Sequence, residues 1–246
     1  MKYLLLITLI MTSLFVIKLF KQQQEFSNGT VEQIITPTVV PDAKIGDYAY
    51  SSLILTNKNI KLLSNLKTPL DGATLKVKYG CDAIVNGGFY DKENNHIGLF
   101  VENGKIVNAY QKNALFNGFI YIHAGEITMS TEYDRSSDYA TQTGPVIIYE
   151  GNNYSFNLSN GDYSRRIIYI EYLNGLKEFL VLYRSDNKYL GPKLSEVYDL
   201  LANYSKNNGV EIKNAINLDG GFHSLFVNDK LTLSEASFIG SFFCIN

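Results

Sequence analysis

The chain has 246 residues, 46% hydrophobic and 19% charged, a balance that excludes a disordered polymer and suits one well-buried domain. A formal net charge of −2, with no basic stripe interleaved with aromatics, excludes nucleic acid as a partner. Two cysteines without a CxxC pair, and histidines without ligand spacing, exclude a zinc site.

Met1-Lys2 followed by the apolar run Tyr3–Ile17 reads as a positive tip and a hydrophobic segment. No small-residue cleavage signal precedes Gln22. Residues 1–21 are therefore expected to stay as a membrane anchor with the domain outside the cytoplasm, whereas cleavage would make the protein secreted. Residues 22–46, with a Gln run, Pro37 and Pro41, read as a polar linker. Residues 47–246 are left as the domain. Its short apolar runs bounded by turn residues predict strands over Tyr50–Leu55, Thr74–Val77, Ala83–Val85, Gly98–Val101, Phe119–Ile122, Pro145–Ile148, Arg166–Glu171 and Glu178–Tyr183. Glu102-Asn-Gly-Lys105 and Leu173-Asn-Gly-Leu176 carry the Asn-Gly hairpin signal. Leu194, Val197, Tyr198, Leu201 and Tyr204 form a helical stripe, with Pro192 at its start and Gly209 as its stop. A shorter helix is expected over Lys58–Leu66. Many strands and few helices predict an α+β domain with a mixed, largely antiparallel sheet. The 18 Tyr and 14 Phe are strand and core fillers that also offer sugar-stacking surfaces. Cys81 and Cys244 both lie in apolar runs, so a disulfide and two buried thiols fit equally well.

Two strand ends share one grammar. Ala83–Val85 runs into Asn86-Gly87-Gly88, and Ala215–Leu218 runs into Asp219-Gly220-Gly221. Each delivers a polar side chain to a sheet edge, and the glycines allow sharp turns or close approach of a ligand. Together they predict one site assembled from distant segments.

The ordered motifs NGGFYD (86–91), IGLFVENGK (97–105), ATQTGPVI (140–147), SRR (164–166) and NLDGGFHS (217–224) resemble the phosphodiester glycosidase domain, most closely its bacterial branch. The resemblance spans roughly residues 47–246. It implies hydrolysis of a sugar-1-phosphodiester at the glycosidic C1–O bond, with a glycan or sugar phosphate as partner. The rival class is a membrane-tethered glycan-binding or structural envelope module without catalysis. The resemblance makes Asp219 the leading catalytic candidate, as base, nucleophile or sugar anchor. An arginine of the SRR motif would serve the phosphate: a guanidinium fork matches two phosphate oxygens. Neighbours on a strand face opposite ways, so either Arg165 or Arg166 is the clamp. The chain departs from the family's small residues and serine by placing Phe222-His223 before Ser224. His223 is thereby a candidate proton carrier or phosphate partner. Asn86, with Gly87 and Gly88, is expected to read sugar hydroxyls, as is Gln142. Thr143 and Gly144 are candidates on the phosphate, and Gly220, Gly221 and Ser224 at the substrate rim. Asp91, Glu93 and Glu102 are possible second carboxylates. No metal is demanded, although an exported site of carboxylates and carbonyls can hold calcium. Oligomeric state is not legible.

Overall fold

In the computed structural model, which describes residues 43–134, 136–154 and 161–246, strand β12 (Arg166–Tyr172) shows how the layers arise. Ile167 and Tyr169 enter one hydrophobic cluster, while Ile168 and Ile170 enter another. A strand apolar on both faces has to lie in a sheet covered on both sides. Its sheet has seven strands in the order β1 (Ala43–Ile45), β2 (Tyr48–Ile54), β13 (Lys177–Tyr183), β12, β14 (Ile212–Asn217), β10 (Val146–Tyr149), β11 (Asn152–Asn153). Helix α2 (Val197–Asn208) lies on one face, burying Val197, Leu200, Leu201 and Tyr204.

Two five-stranded sheets share the other core. One has the order β16 (Thr232–Leu233), β15 (Phe226–Val227), β4 (Ala83–Asn86), β17 (Ser241–Ile245), β3 (Ile60–Ser64). The other runs β6 (Lys105–Asn108), β5 (Phe100–Glu102), β9 (Tyr139–Thr143), β7 (Gly118–His123), β8 (Glu126–Ser130). The period-two rule recurs in β17: Phe243 and Ile245 join the central core, while Phe242 and Cys244 pack with Leu75 of helix α1 (Gly72–Tyr79). Every strand pairing among the described residues is antiparallel. The α+β class holds, with the strands divided among three sheets.

Two local expectations exchange places. Thr74–Val77, expected as strand, lies in α1. The Asp71 carboxylate caps the Thr74 N–H at 3.0 Å and Gly80, at φ 64°, closes the other end. Leu75 is buried but Val77 is 83% exposed, so the alternating apolar pattern misled. Lys58–Leu66, expected as helix, contains β3, which the chain's last strand recruits through the Ile60–Ile245 to Ser64–Ser241 register. That pairing is too distant in sequence to be read locally. The expected helix at 192 begins two residues later, as a 3₁₀ turn Leu194–Glu196, and Gly209 stops it at φ 63°. In the 102–105 turn Asn103 and Gly104 both have positive φ, the hairpin geometry that Asn-Gly favours.

The anchor (1–21) and residues 22–42 of the linker lie outside the described residues, and Ala43–Ile45 pairs with β2. Among the described residues no helix is long and apolar enough to cross a membrane.

The cysteine question resolves as a disulfide. Cys81, just after α1, joins Cys244 of β17 with 5.3 Å between their Cα atoms. The bond spans 163 residues. Replacing both cysteines by serine should destabilise the fold by about 2–5 kcal/mol. For a domain of this size, thermal denaturation should then show a midpoint lower by roughly 5–15 °C. An unchanged midpoint would refute the contribution.

Candidate active site

Strands β4 and β14 belong to different sheets, yet their glycine-marked ends meet. Asn86 donates from Nδ2 to the Asp219 carbonyl at 2.9 Å, and its Oδ1 accepts the Leu225 N–H at 2.8 Å. The side chain is buried, so this amide stitches the two segments together. Close packing explains the neighbouring glycines. A Cβ on Gly87 would come within 2.3 Å of Ser241 Oγ, and one on Gly88 equally near Thr141 Oγ1. Gly221 adopts φ +60°, which disfavours any side chain.

Beyond that junction Asp219 stands half-buried. Its Oδ1 accepts the Gly220 N–H at 2.8 Å, and Oδ2 has no protein donor among the described residues. Burial pushes its carboxyl up to about 6, against the opposing pull of His223, the Gly220 N–H and Arg166. A carboxyl poised there exchanges protons near neutral pH, the condition for acid–base work.

The two arginines part as their strand position requires. Arg166 reaches the Asp219–Gly220 segment, where a Cβ on Gly220 would sit 3.6 Å from its Nη1, and its charge acts on the Asp219 carboxyl. Its Nε donates to the Pro192 carbonyl at 3.0 Å and its Nη2 to that of Asp162 at 2.7 Å. Nη1 has no protein acceptor among the described residues, so the outer end of the fork stays available. Burial lowers the pKa of this guanidinium, and Asp162 and Asp219 oppose that shift.

Arg165 is 1% exposed and spends its donors on the protein. Nε reaches Ser224 Oγ at 2.6 Å, Nη1 the Lys188 carbonyl at 3.1 Å, and Nη2 the carbonyls of Ser224 and of Ser234, the latter at 2.8 Å. Ser224 Oγ in turn donates to the Gly221 carbonyl at 2.6 Å. Arg165 and Ser224 thus hold the 219–224 loop from below, and desolvation takes the arginine down to about 10. Arg165→Lys strands buried carbonyls without donors and should cost about 3–5 kcal/mol of stability. Chemical denaturation checks this; a loss below about 1 kcal/mol would refute the bracing role.

Gln142 is likewise consumed. Its Oε1 accepts the N–H groups of Leu99 and Gln111, and its Nε2 donates to the carbonyls of Gln111 and Phe116. Thr143 is fully buried and donates to the Asn217 carbonyl at 2.9 Å. Gly144 supplies a carbonyl to Asn217 Nδ2 at 3.0 Å. All three stabilise the strand end beneath the site. Asp91 folds back on its own turn, accepting from the N–H groups of Glu93 and Asn95. His96 is stacked on Phe100 at 3.6 Å, and burial drives its pKa down to about 4. Among the described residues no three His, Cys, Asp or Glu side chains are placed to hold a metal ion.

His223, half-buried, does adjoin Asp219 electrostatically and contacts Tyr90, a residue that the motif reading passed over. Tyr90 lies within NGGFYD, but one tyrosine among 18 carries no local signal.

Comparison with known proteins places the chain in a family. The phosphodiester glycosidase family model matches residues 79–240, the span that contains Asn86, Tyr90, Arg166, Asp219 and His223. No curated protein sequence matches the chain. Several solved structures share its fold. The catalytic domain of zebrafish N-acetylglucosamine-1-phosphodiester alpha-N-acetylglucosaminidase, auto-inhibited by its pro-peptide, is similar with a TM-score of 0.57 at 14% identity, covering 84% of this chain and 85% of that one. A hypothetical protein from Synechocystis has a TM-score of 0.55 at 11% identity, covering 83% and 60%. A Burkholderia pseudomallei protein described as exported has 0.53 at 10%, covering 80% and 74%.

Proposed function

Because the chain belongs to the phosphodiester glycosidase family, we propose that it hydrolyses the C1–O bond of a sugar-1-phosphodiester outside the cytoplasm. One observation carries this reading: Asp219, with a carboxyl near 6, stands beside the available end of the Arg166 fork and the His223 ring. The leaving group is a phosphate monoester, whose second pKa is near 6. It departs with little help from a general acid, so two well-placed catalytic carboxylates of the ordinary glycosidase kind are not required. In this reading Asp219 as carboxylate takes a proton from the attacking water. The water oxygen bonds to C1 while the C1–O electron pair leaves with the phosphate, whose charge faces Arg166. Asn86, Gln142 and Arg165, whose polar groups are engaged within the protein, form the scaffold. The Cys81–Cys244 bond favours an oxidising compartment and supports export.

The test is turnover of soluble sugar-1-phosphodiesters by the purified domain. Release of free sugar together with a phosphate monoester is the expected result. Sugar binding with no turnover would overturn the reading in favour of a glycan-binding module.

A further inference from the structure

Tyr90 adjoins the site with no part in the reaction as described, and its surroundings leave it little freedom. Its ring lies so close to Gly240 that a Cβ there would come within 2.5 Å of it. It packs on Phe238 at 4.9 Å between centroids and meets the His223 ring edge-on at 5.5 Å. The hydroxyl meets the Phe238 carbonyl at 2.7 Å and His223 Nδ1 at 2.8 Å, with the Ser237 side chain a further hydrogen-bond partner that lowers its pKa. A carbonyl only accepts, so the single phenolic proton belongs to Phe238. The 2.8 Å contact then needs a proton on Nδ1. The Phe238 carbonyl, 3.2 Å from Nδ1, asks for the same proton. Both neighbours of this nitrogen therefore call for an N–H, and a neutral ring so protonated carries its lone pair on Nε2.

We propose that Tyr90 is a positioning residue that, with the Phe238 carbonyl, holds the His223 proton on Nδ1 and leaves Nε2 as an acceptor beside Asp219. The place of this acceptor in the reaction rests on the phosphodiester glycosidase reading and divides its site into two sides. A neutral acceptor suits an O–H donor, either a sugar hydroxyl or the attacking water. It offers nothing to phosphate oxygens, which only accept. His223 thus serves the sugar and water side, and Arg166 the phosphate side. Asp219 and Arg166 are the charged groups that bear on this end of the site, and Asp219 also raises the Tyr90 hydroxyl pKa, second to burial.

The chain has three histidines, so isotope-labelled histidine gives three imidazole patterns in a long-range proton–nitrogen correlation spectrum. His223→Asn identifies the relevant one by its loss. In its neutral form, wild-type His223 should show the Nδ1–H tautomer. Tyr90→Phe keeps the ring packing and removes the hydroxyl, and should move the population toward Nε2–H. An Nε2–H ring in the wild type, or a tautomer indifferent to Tyr90→Phe, overturns the proposal. In kinetics, Tyr90→Phe should lower kcat on a sugar-1-phosphodiester about tenfold with KM nearly unchanged. An unaltered kcat also overturns it. A wild-type protein that turns over no such substrate refutes the functional reading instead, and the spectrum still decides the tautomer.

Discussion

Asp219→Asn should lower kcat on a sugar-1-phosphodiester by about 10²–10⁴-fold, the usual range for loss of a positioned acid or base. The backbone that holds Asp219 stays intact, because Asn86 donates to the Asp219 carbonyl and the Gly220 N–H can still donate to the Oδ1 of an asparagine. Stability supplies an independent control with a definite sign. The folded carboxyl titrates near 6, above its ordinary value of 3.8. A raised carboxyl favours the folded state when protonated, and that contribution is lost as pH rises through about 6. The asparagine cannot ionise. The variant should therefore melt above wild type at pH values well above 6 and converge with it toward the ordinary carboxylate range. Wild-type kcat should rise with pH through the same region if the carboxylate is the base. Near-normal turnover in Asp219→Asn would remove the residue from the mechanism. A melting difference that is independent of pH would remove the raised carboxyl.

The second large effect concerns Arg166→Lys. Lysine keeps the charge but loses the planar fork whose outer end lies beside Gly220 and whose charge acts on Asp219. Loss of a charge-assisted hydrogen bond should cost about 10–100-fold in kcat/KM on a sugar-1-phosphodiester. An aryl glycoside of the same sugar carries no phosphate and should be affected far less. The ratio between the two substrates is the measurement. Equal losses on both would take Arg166 out of the phosphate subsite. Arg165→Lys is the contrasting variant: its effect should appear as lost stability and fall on both substrates alike, because that guanidinium is spent on the carbonyls of Lys188, Ser224 and Ser234.

Much of this was legible in the chain because some physics is local. Near-continuous apolar runs such as Arg166–Tyr172 and Lys177–Tyr183 specify strands buried on both faces, and Asn103-Gly104 specifies its hairpin. The stripe on α2 and its glycine stop need only their own neighbours. The glycine pairs after Asn86 and Asp219 marked backbone that must pass close to other groups, which is a property of residue type. Tertiary structure decided the rest, since the deciding partners are remote. Ile60–Ser64 became strand when the C-terminal strand offered a register, and Cys81 met Cys244 across 163 residues. Adjacent arginines identical in type acquired opposite duties because one side chain turns under the 219–224 loop and the other beside Asp219. The carboxyl near 6 and the Nδ1 proton of His223 arise only when residues 133 apart are brought together, because desolvation and hydrogen-bond partnership belong to surroundings and not to any residue alone.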